Sequence, residues 1–224
     1  MSPIDEPSAD GPPGLRERKK RQTRLALSRA AIRLCVLHGW AEVTIERIAA
    51  EADVSVRTFR NYFAGKAEAI AHSHLERMTG VAEDLLARPA DEPLWEALRH
   101  AVLGRFAPPD SVPQDPRWRE GVRLMLTEPA LAGEIVKAGA AAERTLAAAV
   151  ARRTGTDPDH DLHPRLVAAV VAAGSTVAVE HGLRSASAEP LDTVLTRVFE
   201  QLAAGLPVPQ PGPHGPRPAE ETRP

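Results

Sequence analysis

Apolar positions along this chain recur at intervals of three and four, the spacing of one helix face, and nowhere alternate over the length of a strand. The clearest stripe lies near the C-terminus, where Leu191, Val194, Leu195, Val198, Leu202 and Ala203 share one side and Asp192, Arg197, Glu200 and Gln201 the other. The segment before it, 164–184, is apolar almost all round and rich in small residues: Ala168, Ala169, Ala172, Ala173 and Gly174. Such a helix needs partners on two faces, and its small residues let them approach closely. At the other end, Leu15 to His38 contains neither proline nor glycine, Leu27, Ala31, Leu34 and His38 share a face, and Gly39 ends the helix. Thr44 is placed to cap a short second helix running to about Glu51; Arg47 stands three positions on, so the reciprocal capping box is absent. Ala52-Asp53-Val54 breaks that helix, and Ser55 caps a third over 56–63. Proline is excluded from helix interiors, and its positions bound further helices at about 66–87, 92–106, 116–127, 129–154, 164–184 and 190–204. The predicted fold is all-α.

Composition refines this picture at four points. Of 21 prolines, 4 fall in residues 1–14 and 7 in 206–224, which marks two disordered tails around a small domain at 15–65 and a larger one at 66–205. The net charge of −2 conceals an asymmetry: residues 15–66 carry 12 Lys/Arg against 5 Asp/Glu, so that end suits a polyanion. The single cysteine, Cys35, permits no internal disulfide, and no apolar leader opens the chain, so the expected compartment is the cytoplasm, in association with the nucleoid. The apolar run Leu166 to Val179 is shorter than the ~20 residues of a bilayer span and reads as a buried helix, so no membrane partner is expected.

The three N-terminal helices have the spacing of a helix-turn-helix. Ile48, Val54 and Phe59 can pin two short helices at a steep angle, Ala49 is small where they cross, and Asp53 stands where a positive φ is needed. Val56, Arg57, Arg60 and Asn61 would then point outward, with Tyr62 near the helix end. Arginine can hold a guanine edge, asparagine an adenine edge, and Thr58 and Tyr62 can reach phosphates or base methyls. The basic run Arg16 to Arg24, including Arg21 and Arg24, suits an arm that tracks phosphates or a minor groove.

Thr44-Ile45-Glu46-Arg47-Ile48-Ala49 followed by Asp53-Val54-Ser55-Val56-Arg57-Thr58-Phe59-Arg60-Asn61-Tyr62-Phe63-Ala64-Gly65-Lys66 resembles the DNA-binding signature of the TetR family of bacterial repressors, over roughly residues 20–70. The departure is Asp53, where the family usually has glycine. The resemblance implies an all-helical homodimer with Thr44, Ser55, Arg57, Thr58, Arg60, Asn61, Tyr62 and Lys66 at DNA and Phe59 and Phe63 in the core. The run Arg16 to Arg24, the Arg57 to Phe63 helix and the Thr127-Glu128-Pro129-Ala130-Leu131 junction are similar to the actinobacterial subgroup that includes the mycofactocin-system regulator, which implies acyl-CoA-like ligands.

Other motifs dissolve on inspection. In Asp157-Pro158-Asp159-His160-Asp161-Leu162-His163, leucine stands where a calcium loop needs glycine and Ala168 where it needs glutamate, so this is a polar loop before a helix and no metal is expected. His72 and His74 are two apart and cannot share a helix face; His74 lies in line with Ile70, Met78, Val81 and Leu85 as a core or pocket-edge histidine. Gly65-Lys66 lacks the rest of a phosphate loop, Cys35 sits among apolar neighbours, and no nucleophile-base arrangement occurs, so neither an enzyme nor a cofactor is expected.

The last two helices are the expected dimer interface, through Val170, Val177, Leu191, Leu195, Val198 and Leu202; filling the protomer's own core is the competing use. For the effector, Trp95, His100, Phe106, Trp118, Arg123 and Met125 are candidates by chemistry, aromatic and methionine walls with a polar head contact. The expected function is a ligand-responsive repressor that binds a near-palindromic DNA operator as a homodimer and is released by a small apolar or acyl-CoA-like effector. The alternatives are a helical small-molecule-binding protein or enzyme on the same fold, and a DNA binder without sequence preference.

Overall fold

The computed structural model describes residues 14–106, 116–184 and 189–207, with the side chains of 116–118 outside the description. Both proposed tails, apart from Gly14, Leu206 and Pro207, lie outside these residues. Among the described residues the regular structure is helical throughout: α1 Leu15–His38, α2 Ile45–Glu51, α3 Val56–Arg60, α4 Lys66–Ala87, α5 Leu94–Phe106, α6 Pro116–Leu126, α7 Pro129–Thr154, α8 Leu162–Arg184 and α9 Leu191–Ala203.

The boundaries follow the expected chemistry. Gly39 ends α1 at φ 82° with its N–H on the Cys35 carbonyl, Thr44 Oγ1 accepts from the Arg47 N–H at 3.3 Å, and Ser55 Oγ accepts from the Thr58 N–H at 3.0 Å. Gly155 closes α7 in the left-handed region at φ 69°. Two boundaries move. Helix α3 stops at Arg60 rather than continuing to Phe63, because the chain turns at Asn61-Tyr62 to drive Phe63 into the core. Helix α8 starts at Leu162, because the Asp157 carboxylate takes the Asp159 N–H at 2.8 Å and the Asp161 carboxylate takes the Asp157 N–H at 2.7 Å, a self-contained turn that leaves Pro164 in the helix's first turn.

Two apolar clusters hold the molecule. The C-terminal one joins α4, α5, α7, α8 and α9 around Met78, Leu85, Leu98, Leu146, Val171 and Leu195. The N-terminal one gathers α1, α2 and α3 around Leu27, Ile48 and Phe59, and also recruits Ala69, Ile70 and Ala71 from α4, Met125 from α6, and Leu131 and Ala138 from α7. The boundary drawn at 65/66 therefore falls inside a packed unit. Half-buried Leu75 touches both clusters, so α4 is the element they share. A second link is Gly121 of α6, which lies so close to α1 that a methyl group there would overlap the Val36 carbonyl oxygen.

Helix α8 differs from the buried helix expected. By length and composition it is long and apolar enough to cross a bilayer. Val167, Ala168, Val171, Gly174 and Ala178 are buried, while Leu162, Leu166 and Val177 are exposed at 77%, 53% and 56%. Its inner face packs on α7 and α9, and within the protomer its outer apolar face has no partner among the described residues.

Candidate nucleic-acid interface

The α2-turn-α3 unit is held from inside by Ile48 and Phe59, both 0% exposed, with Ala49 at 1% and Phe63 at 4%. The Phe59 and Phe63 rings meet at a centroid distance of 5.9 Å, and Phe63 continues onto His72 of α4 at 5.4 Å. At the turn Asp53 adopts φ 53°, the left-handed conformation foreseen for that position, while the Val54 N–H reaches the Ala49 carbonyl at 2.9 Å. Aspartate visits this region more readily than most side chains, which is how the turn forms without glycine.

This frame leaves Arg57, Arg60 and Asn61 exposed on one side of α3 and its end, with Val56 and Tyr62 half-buried beside them. These side chains supply guanidinium and amide groups of the kind that read base edges. Thr58 is half-buried and its hydroxyl shares a 2.9 Å hydrogen bond with the Ser55 hydroxyl, so both are engaged in capping α3. Thr44 likewise caps α2 from an exposed position.

Three basic residues expected at DNA are placed differently. The Arg21 guanidinium pairs with Glu76 and with both oxygens of Glu83, 3.0 and 3.2 Å away, tying α1 to α4 rather than reaching outward. Those two carboxylates raise its already high pKa. Arg24 is half-buried, lies 5.9 Å from the Tyr62 ring centre, and has a sealed Nε with no partner among the described residues. Lys66 turns its ammonium inward, donating to the Trp40 carbonyl at 2.5 Å and the Val43 carbonyl at 2.8 Å, over the Trp40 ring at 4.4 Å. A residue assigned to a phosphate thus staples the start of α4 to the α1-α2 loop. Sequence spacing shows only that a lysine opens a helix; the two carbonyls it meets come from 23 and 26 residues away. Lys66→Ala is expected to lower stability by about 1–3 kcal/mol, because two carbonyls lose a charged donor. The slope of log affinity against log salt should stay unchanged; titrations on DNA giving a slope shallower by about one would return Lys66 to a phosphate.

The remaining basic groups near α1 divide in two. Arg16, Arg18, Lys19 and Lys20 are exposed at the helix start, and Arg29 is exposed further along it. Arg33 pairs with Glu51, and the Arg47 guanidinium donates to the Glu42 carbonyl at 2.7 Å.

The effector candidates among the described residues are spread over two clusters and the surface. Met125 is buried in the N-terminal cluster, Arg123 is exposed and paired with Glu120, and His100 sits half-exposed on Glu92 at 2.9 Å. Trp95 packs on the C-terminal cluster from outside, Phe106 is buried beneath the guanidinium of Arg77, and the Trp118 side chain lies outside the described residues. Of the dimer candidates, Leu195 is 0% exposed inside its own protomer, because its side of α9 packs on α5 and α8. Val170, Leu191, Val198 and Leu202 are half-buried and Val177 is exposed. No cluster of three or more potential metal ligands occurs among the described residues.

Residues 27–71 match the profile of the bacterial regulatory proteins of the tetR family, and residues 92–207 that of the MftR C-terminal domain. The HTH-type transcriptional regulator TcmR of Streptomyces glaucescens is 36% identical over 77% of this chain and 79% of its own. MftR of Mycobacterium tuberculosis, a transcriptional regulator named for mycofactocin biosynthesis, is 31% identical over 84% of this chain and 93% of its own. Among solved structures, Thermus thermophilus FadR, a TetR family repressor in complex with lauroyl-CoA, aligns with a TM-score of 0.51 and 22% identity, over 86% of this chain and 100% of that one.

Proposed function

The chain belongs to the TetR family of bacterial transcriptional regulators and is not an enzyme, and from that premise we propose that it is a ligand-released repressor acting as a homodimer on a near-palindromic operator. One observation carries this reading: α3 is pinned by a fully buried Phe59 while Arg57, Arg60 and Asn61 stay exposed beside one another. In the dimer two such helices would enter successive major grooves ~34–36 Å apart. An effector that prefers a splayed arrangement shifts the population away from the DNA-competent one, and by reciprocity operator DNA weakens effector binding by the same factor. The effector class we carry forward is acyl-CoA-like, supported by the MftR-type C-terminal half and by the lauroyl-CoA held by the FadR neighbour. The proposed compartment is the cytoplasm, where the operator lies.

The dimer contact is proposed on the outer face of α8 and the adjoining edge of α9, with Val177, Val170 and Val198 central and Leu195 excluded. Val177→Glu removes no contact from the protomer's core and places a charge in the proposed seam. Dissociation into monomers by light scattering is expected; a persistent dimer would move the interface elsewhere.

Fluorescence anisotropy on the DNA upstream of the protein's own gene and on a scrambled duplex, at ~150 mM salt, tests the whole reading, because electrostatic binding alone does not distinguish the two. Preference for the upstream DNA, lost on adding lauroyl-CoA, is expected. A preference that survives lauroyl-CoA keeps the repressor and removes that effector. Equal binding to both duplexes, followed by genome-wide selection that finds no preferred site, would sink sequence-specific recognition.

A further inference from the structure

Arg77 lies in the middle of α4, half-buried, where partial burial lowers its pKa, and its guanidinium finds no hydrogen-bonding or charged partner among the described residues. Two other arginines that hold α4 or its end are matched. Arg105 is held by Asp84 at 2.5 and 2.6 Å, and Arg153 by four carbonyl oxygens at 2.6 to 3.3 Å. What Arg77 does have is the ring of Phe106, the last residue of α5, with Cζ 4.9 Å from its centre. One turn before it on the same helix, His74 is half-buried, and burial together with the charge of Arg77 keeps it toward its neutral form.

A half-buried arginine without a hydrogen-bonding partner has given up part of its hydration and is open to an anion that completes it. Contact with an aromatic face leaves the in-plane N–H groups available, and a planar fork of donors matches a carboxylate or phosphate oxygen pair. A neutral imidazole beside it can add one more N–H. Next along the helix, Met78 belongs to the C-terminal apolar cluster, and Leu103 of α5 packs against that cluster from outside, so apolar surface adjoins the charge.

We propose that Arg77, with His74 beside it and Phe106 against it, anchors the anionic head group of the effector, a carboxylate or phosphate monoester whose apolar part lies against the C-terminal cluster. This rests on the effector-release reading and asks only that the effector carry a carboxylate or a phosphate, the phosphate being the group that an acyl-CoA would supply. The location also gives the anion a lever: the same helix carries Ala69, Ile70 and Ala71 into the core of the DNA-binding head.

The test uses the full chain and three matched probes, decanoate, decyl phosphate and decanol, compared by thermal shift and calorimetry at constant ionic strength. At least one anion is expected to stabilise the wild type and to bind about tenfold or more tighter than decanol, the difference a charged hydrogen-bonded pair provides. Which anion binds tighter separates carboxylate from phosphate. Arg77→Met and Arg77→Gln should each bring anion and alcohol to within about twofold of one another. The proposal fails if decanol binds as well as the anions to the wild type, a comparison that requires no variant to fold. It also fails if neither anion binds, or if a folded variant at Arg77 keeps the preference. Operator anisotropy without any probe reads the repressor proposal separately: normal operator preference with no anion effect sinks the Arg77 site alone, whereas lost operator preference sinks the reading beneath it.

Discussion

Alanine at both Arg57 and Arg60 is expected to bring affinity for the operator down to that for scrambled DNA, while affinity for the scrambled duplex falls much less. Each arginine is exposed on α3, and neither is engaged with an acceptor among the described residues, unlike Arg21, Arg33 and Arg47 nearby. A guanidinium that holds guanine bidentately contributes about 1–3 kcal/mol of discrimination. The two stand one turn apart on a short helix, so their losses need not add, and the double variant has to be measured beside both singles. Isotherms for the four proteins on operator and scrambled DNA decide the matter. Equal losses on both duplexes would make these arginines phosphate contacts and move base reading to Asn61, Val56 and Tyr62. The salt slope offers a second readout: a residue reading a base edge leaves it nearly unchanged, whereas each lost phosphate contact flattens it by about one.

Phe59→Ala is expected to have the largest effect on stability, about 3–5 kcal/mol, as for other fully buried aromatic side chains. The ring is 0% exposed and is one of the few large groups in a cluster whose other members are mainly alanine, leucine and isoleucine. Helices as short as α2 and α3 are not stable by themselves, so the head depends on this packing. In a protein of this length a loss of that size lowers the melting temperature by roughly 6–20 °C. The comparison has to be made at one protein concentration, since the proposed dimerisation would add its own stabilisation. A melting temperature within about 2 °C of wild type would mean that the head contributes little to the cooperative unit. Loss of DNA binding with an unchanged melt would place the damage in a head that unfolds locally.

The helices were legible because each carries its own punctuation. Thr44, Ser55 and Gly39 act on backbone groups within a few residues, and prolines at 89, 93, 129 and 190 bound segments whatever the rest of the chain does. Asp53 was legible for the same reason, since a positive φ is a demand of one turn. The extent of α3 was not: Phe59 and Phe63 fit a continuous helix by spacing, and only the packing of Phe63 against His72 shows why the chain turns first. Long polar side chains were the least legible. Arg21, Lys66 and Arg153 have flexible stems, and their partners lie tens of residues away, so local sequence says that they are basic and not what they hold. Arg77 was missed for a related reason. It lies three residues after His74 and four before Val81, on the apolar side of α4, and a charge on such a face was the available signal.

The sharing of α4 between two apolar clusters limits how this protein can be taken apart. A chimera that joins this head to another regulator's sensing half by cutting at residue 65 would sever Ala69, Ile70 and Ala71 from the core they help to fill, and would remove the lysine that fastens the α1-α2 loop. The exchangeable part ends later, between Ala71 and Met78, and its new partner has to supply counterparts of Met125 and Leu131 to cover the head from the outside. The DNA-binding head and the C-terminal helices have separate apolar clusters, but as pieces of polypeptide they overlap along the first turns of one helix.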